Sequence, residues 1–226
     1  MLETNITKGT FQFLNTLKKN NNREWFTEHK SAFKVEETKV KSFFSHVHDL
    51  LKTHDEIEKM KVFRIYRDVR FSKNKTPYKS NFSASFSRAG KHRRGGYYLQ
   101  IESGNSFVAA GFWNPEKDDL LRIRKEWQVD TTELVEIIND TKFKKVWGQI
   151  VGDELKTAPK GFDKEDPNIE FIRMKQFIFV KKFTDDEVLS NNFANEVNDS
   201  FQTIRPYFDL MSSILTTTMN GESLLD

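Results

Sequence analysis

Cysteine is absent from the 226 residues, which excludes a disulfide framework, thiol catalysis and cysteine metal sites together. The longest wholly apolar run is seven residues, Phe107 to Trp113, far short of the ~20 that span a bilayer. The opening Met1-Leu2-Glu3-Thr4-Asn5 has no basic stretch leading into an apolar one, so no signal peptide and a cytoplasmic setting are expected. No P-loop, dinucleotide glycine pattern, Gly-x-Ser-x-Gly elbow, internal repeat or low-complexity tract occurs. His29, His46, His48, His54 and His92 lack metal-ligand spacing; no metal and no cofactor are expected.

What is present is charge and aromatic rings. Charged residues make up 31% and mean hydropathy is −0.67, the profile of a soluble chain. Phenylalanine, at 21 residues beside four Trp and five Tyr, is expected to dominate the core because each ring buries a large area. Between Lys59 and Arg94 stand twelve Lys and Arg against one acid, Asp68; the remainder holds 24 basic and 32 acidic residues. A segment of net charge +11 thus sits in a body of −8. Cations so crowded repel, and need carboxylates, solvent or an anionic ligand beside them.

Periodicity predicts an order of elements. Phe11, Leu14 and Leu17 mark a short helix. Asn22 is expected to cap a long one reaching about residue 53, bent near Thr38. Phe82, Ala84 and Phe86 alternate with serines, and Tyr97, Leu99 and Ile101 with Tyr98, Gln100 and Glu102, as in strands with one wet face. A basic hairpin loop, Ala89 to Gly96, joins them. Phe107 to Trp113 reads as a third strand, its Ala109, Ala110 and Gly111 implying a close neighbour. Lys61 to Arg67 is a further strand candidate. Asn114-Pro115-Glu116 opens a helix to about Trp127; further helices follow through Trp147 and near Asp166 to Met174. A returning strand is expected near 176–181, then C-terminal helices divided at Pro206. The expected fold is α+β: a single domain, 1–226, with an antiparallel sheet of four or five strands (a meander over about 61–113 plus the returning strand) packed with N- and C-terminal helices.

The densest cationic stretch runs from Arg64 to Lys79. As a strand it puts Arg64, Tyr66, Asp68 and Arg70 on one face; as a helix it aligns Arg64, Arg67 and Arg70. A strand to about Tyr66 followed by an irregular turn fits Ser72 to Pro77 best. Guanidinium groups bind carboxylate and phosphate in a forked geometry and stay charged at any working pH. Arg64, Arg67, Arg70 and Lys75 therefore form a candidate anion cradle, with Tyr78 donating a hydrogen bond. Asp68 among arginines stays ionised and orients them. Asn74, Lys79, Arg94 and Glu102 are accessory candidates. A structural ion-pair network with Glu102, Asp163 or Glu170 is the competing reading. Asp163, Glu165, Asp166 and Glu170 read as a helix cap and solvated charge.

The run Arg64-x-x-Arg67-Asp68-x-Arg70-Phe71-x-x-x-Lys75-x-x-Tyr78 resembles the signature of an uncharacterised, mainly bacterial family, domain of unknown function 2461. Asn22-Arg23-Glu24-Trp25-Phe26, Gly96-Tyr97-Tyr98-Leu99, Gly111-Phe112-Trp113-Asn114-Pro115, Lys160-Gly161-Phe162-Asp163 and Arg205-Pro206 are similar to it as well. The resemblance covers nearly the whole chain and implies one domain with a shared site at these residues. It implies histidine where this chain has Gln100, so no histidine base is expected on that strand. It names no reaction.

Three functions follow as expectations. The first is a pocket for a phosphorylated or carboxylated small molecule, in an enzyme or a binding protein; no nucleophile or base stands out. The second is nucleic-acid binding, with Tyr66, Tyr78, Tyr97 and Tyr98 stacking bases. The third is a module docking on an acidic protein. No membrane partner is expected, and the oligomeric state is open.

Overall fold

A computed structural model describes residues 5–225. Five strands, β1 (Ile57–Val62), β2 (Phe82–Arg88), β3 (Gly96–Ile101), β4 (Ser106–Phe112) and β5 (Phe177–Phe183), form one open antiparallel sheet in sequence order. Ahead of it stand α1 (Lys8–Lys19), α2 (Arg23–Glu28) and α3 (Lys30–Leu51). Between β4 and β5 come α4 (Lys117–Val129), α5 (Thr132–Asn139), α6 (Thr141–Trp147) and α7 (Ile169–Ile172). After β5 follow α8 (Asp185–Val188), α9 (Phe193–Thr203) and α10 (Arg205–Thr216). The α+β expectation holds, with five strands. Among the described residues no helix is long and apolar enough to cross a membrane.

The expected long N-terminal helix is two helices, and the break falls at His29 rather than near Thr38. Asn22 caps α2, its side chain accepting from Trp25 N at 2.8 Å. The amide and ring Nδ1 of His29 both bond to the Trp25 carbonyl, which closes α2, and His29 then serves as the N-cap of α3. Thr38 bonds back to Lys34 O within an unbroken helix. The strand expected at Lys61 to Arg67 also shifts: β1 spans Ile57–Val62, and beyond it Ile65 and Tyr78 are buried.

By their contacts the residues fall into two compact units. The first takes the chain up to Phe86, then Tyr98–Val108 and Lys182–Asp199. Its core is built on rings: Phe33 packs on Phe26 and Phe82, and Phe193 stacks on Phe43 with planes 3° apart. The second takes Ser87–Tyr97, Ala109–Lys181 and the chain from Ser200 on. There Trp127 meets Phe177 edge-on at 4.8 Å, and Tyr207 meets Phe179 at 5.0 Å. Tyr207 is wholly buried, which pushes its hydroxyl far above the ordinary phenol range. The phenylalanine-rich composition accounts for both cores.

The small residues of β4 have a specific neighbour. Gly111 has φ 137°, and a Cβ there would stand 2.2 Å from Phe177 O. The close approach is by the backbone of the adjacent strand.

Candidate functional site

Between β1 and β2, residues 63–81 form an arm belonging to the first unit. Phe63 N donates to Ser83 O at 2.9 Å, Arg67 N to Pro77 O at 2.9 Å and Lys79 N to Ile65 O at 2.8 Å. Tyr66 and Tyr78 make an isolated antiparallel bridge. The base of the arm is fixed from α2 and its approach. Asn21 takes both backbone groups of Tyr78, each at 3.0 Å, and Tyr78 stacks on Phe26. Tyr78 is 5% exposed, and burial, then Tyr66, raises its pKa. Its ring is part of the hydrophobic core.

The tip, 67–77, is ordered largely by its own side chains. Arg70 forks onto Asp68, with Nε donating to Oδ1 at 3.0 Å and Nη2 to Oδ2 at 2.7 Å. That fork, then the Arg70 amide, with a smaller contribution from the Arg64 charge, holds the Asp68 carboxyl below the usual range. Both partners are exposed, so solvent screens the pair. Lys75 Nζ donates to Val69 O at 2.9 Å and to Arg70 O at 3.5 Å. Asn74 Oδ1 accepts from Thr76 N and Oγ1, and Thr76 Oγ1 in turn accepts from Arg67 Nη1 at 2.7 Å. Arg67 Nη2 reaches Ser72 Oγ at 3.4 Å. These hydroxyls are neutral, so among the described residues the half-buried Arg67 has hydrogen-bond partners but no carboxylate within ion-pair distance.

Arg64 and Lys79 differ again. Among the described residues neither has a carboxylate within ion-pair distance. Arg64 is exposed and Lys79 is half-buried. Lys79 Nζ lies 5.2 Å from the Phe63 ring centroid, and Lys61 Nζ 5.3 Å from the same ring. Burial, and secondarily the Arg64 charge, depresses the Lys79 pKa. A cation is thus held where burial and the Arg64 charge disfavour it and the face of the Phe63 ring favours it.

Phe63 also joins these cations to the serine-bearing face of the sheet, where Tyr98 packs on Phe63 and Phe107 at 6.0 and 5.6 Å. A polar chain crosses that face. Ser83 bonds to the Tyr98 hydroxyl, which donates to Gln100 Oε1 at 3.1 Å. Gln100 Nε2 donates to Glu102 Oε2 at 3.0 Å, and Ser80 Oγ to Glu102 Oε1 at 2.7 Å. Glu102 accepts from Asn105 as well. The carboxylate expected to brace an arginine instead ends a relay of neutral donors. Burial raises the Tyr98 pKa, partly offset by Ser83, with Glu102 adding to the rise. Sequence reasoning missed Lys61, Phe63, Ser80 and Asn21. The Ser/Phe alternation of β2 was the signal for the polar face.

The remaining candidates lie apart in role. Arg94 belongs to the second unit, where it pairs with Asp119, and Gly95 (φ 89°) packs against Phe208. Glu165 N and Asn168 N bond to Asp163 and Asp166 within the loop; neither carboxylate caps a helix as expected, since α7 begins at Ile169 with Asn168 as its N-cap and no side-chain cap bond. Tyr97 is buried, 2% exposed, on Phe201 and Phe208. Of the four tyrosines expected to interleave with cations, Tyr66 is exposed and Tyr98 half-buried. Two cavities of about 480 and 490 Å3 lie elsewhere, one in each unit, and no arm residue lines either.

The family model described as Conserved hypothetical protein (DUF2461) matches residues 9–210. No curated protein and no solved structure matches the chain.

Proposed function

Because the chain belongs to the conserved hypothetical family DUF2461, whose description carries no reaction, we propose a function from the arm itself: binding of an anionic small molecule, phosphorylated or carboxylated. The family match runs through residues of both units, and we take 1–226 as one domain. The observation that carries the reading is the pair Arg64 and Lys79, cations with no carboxylate within ion-pair distance among the described residues, one of them partly desolvated. An anion seated between them removes their mutual repulsion and restores the charge that burial disfavours. Arg67, held by the Thr76 and Ser72 hydroxyls, adds a guanidinium on the same arm. Asp68, Asn74, Lys75 and Tyr78 order the arm; the Arg70 charge is paired with Asp68 through Nε and Nη2.

Thermal unfolding in phosphate, sulfate, mononucleotides and citrate tests this. A ligand at a hundredfold excess over Kd adds about 2.7 kcal/mol, a Tm rise of roughly 5–10 °C for a chain this size. Charge reversal in R64E or K79E removes the rise. No stabilisation of the wild type by any of these anions overturns the reading.

One observation favours a second reading, single-stranded nucleic acid. Phe71 is 95% exposed at the basic tip, with the Arg70 guanidinium 5.9 Å from its ring centroid, and Tyr66 is 47% exposed. An open ring among cations is a base-stacking platform. Oligonucleotide affinity that falls steeply with salt, and falls again in F71A, would select it over the small molecule.

A further inference from the structure

The stretch Asn22–Phe26 serves the arm through Phe26, yet its neighbour Trp25 faces a different space. Trp25 lines the cavity of about 480 Å3 among α1, α2 and α3, together with Gln12, Phe13, His29, Val35 and Glu36. A cavity of that size suits a small organic molecule. Phe13 and Trp25, 6.0 Å apart and tilted by 41°, form an aromatic wall.

Both ionisable groups of the lining present acceptors. His29 Nδ1 lies 2.8 Å from Trp25 O. A peptide oxygen only accepts, so Nδ1 carries a proton, and in the singly protonated tautomer the lone pair is on Nε2. Among the described residues Nε2 has no hydrogen-bond partner, and the ring is held by stacking on Trp25 at 4.0 Å. Glu36 is 8% exposed; Oε2 accepts from Thr10 Oγ1 at 2.7 Å and Oε1 from Lys39 Nζ at 2.9 Å. A carboxylate has about four lone-pair sites, so two bonds leave acceptor capacity. Gly9 borders this space as well, and a Cβ there would meet Glu36 Oε1 at an ordinary contact distance of 3.4 Å. Among the described residues no lysine or arginine is in the lining itself; Lys39 stands behind Glu36 and pairs with its Oε1, so Glu36 offers its remaining lone pairs as acceptors.

Acceptors set against aromatic walls are the complement of a protonated amine on an apolar body. We propose that this cavity binds a small primary ammonium ion with an aromatic or aliphatic body. His29 Nε2 and Glu36 take its N–H groups, and Phe13 and Trp25 cover its body. The site is separate from the arm and stands or falls independently of the anion reading.

The test titrates the full chain with phenethylammonium, 2-phenylethanol and phenylacetate, which share one body and differ in the head group. Calorimetry gives affinities, and amide and indole NMR shifts locate the site. The expected result is saturable ammonium binding that shifts Trp25 and His29, at least about tenfold tighter than phenylacetate, and tighter than the alcohol. V35W, at a 55%-exposed position on the rim, blocks the cavity and abolishes binding with the fold intact. E36Q narrows the gap between amine and alcohol; if it fails to fold, V35W alone decides. Absence of saturable binding, equal or tighter binding of phenylacetate or the alcohol, or ammonium binding unaffected by V35W overturns the proposal.

Discussion

Phe26 lies face to face on Tyr78, with ring centroids 4.0 Å apart and planes 18° from parallel. One ring comes from α2, the other from the cationic arm, and both are buried. The arm is therefore anchored by apolar packing at its base while its tip is held by polar bonds in solvent. Truncation in F26A removes the floor under Tyr78 and is expected to cost roughly 3–5 kcal/mol. Urea unfolding measures the loss. Protease cleavage within 67–77 should rise in parallel, and unchanged cleavage would show that the tip orders without its anchor.

Lys79 supplies the pH dependence. Its folded pKa is lowered, by burial first and Arg64 second, so the folded state binds that proton less well than the unfolded chain does. The penalty is therefore complete below the folded pKa and is relieved as pH rises from that value toward the ordinary lysine pKa. R64A removes the second cause, and the Lys79 titration midpoint, followed by side-chain NMR, should move up. Phosphate should move it up further in the wild type. A midpoint indifferent to phosphate would separate Lys79 from any anion site.

Gln100 is the hinge of the relay on the sheet face, accepting from Tyr98 and donating to Glu102 and Asn105 O. It is 8% exposed, so Q100L takes one hydrogen-bond partner from Tyr98, which keeps Ser83, and one from Glu102, which keeps Ser80 and Asn105, at a cost of roughly 1 kcal/mol. Q100H should be far milder. A neutral imidazole accepts at one nitrogen and donates at the other, which is the pair of roles the relay requires. Equal losses in Q100L and Q100H, by chemical denaturation, would mean that packing rather than hydrogen bonding governs the position.

Much of this fold is readable from side-chain periodicity. Phe82, Ala84 and Phe86, and Tyr97, Leu99 and Ile101, are buried in β2 and β3 as alternation marks them, while Ser83, Arg88 and Gln100 are buried as well, which alternation does not show. Pro206 sits at the start of α10, where its missing N–H is harmless. The break at His29 was not readable, because it depends on a ring nitrogen returning to a carbonyl four residues earlier. The site was half legible. Charge density pointed to the arm, but charge cannot tell an arginine forked onto Asp68 from one facing solvent. Nor does local sequence disclose that Asn21 and Phe26, about fifty residues away, hold Tyr78 in place. Lys61 and Phe63 escaped notice because their part arises from a shared ring rather than a motif.

Gly111 gives the sharpest stability test. Its φ of 137° is a conformation that side chains rarely adopt, and the Phe177 carbonyl oxygen would lie 2.2 Å from an added Cβ. Neither difficulty is removed by rotating a side chain, since the obstacle is backbone of the neighbouring strand. G111A must therefore either strain its own backbone or push β5 away from β4. Strain and overpacking together are expected to cost roughly 2–5 kcal/mol. Gly104, with φ 72° but no atom within 4 Å of where a Cβ would stand, is the control: G104A meets the torsional cost alone, roughly 1 kcal/mol. Thermal or urea unfolding of the two variants side by side separates the contributions. A G111A chain as stable as G104A would mean that β4 and β5 can part at this point without loss, contrary to the tight register the two strands display.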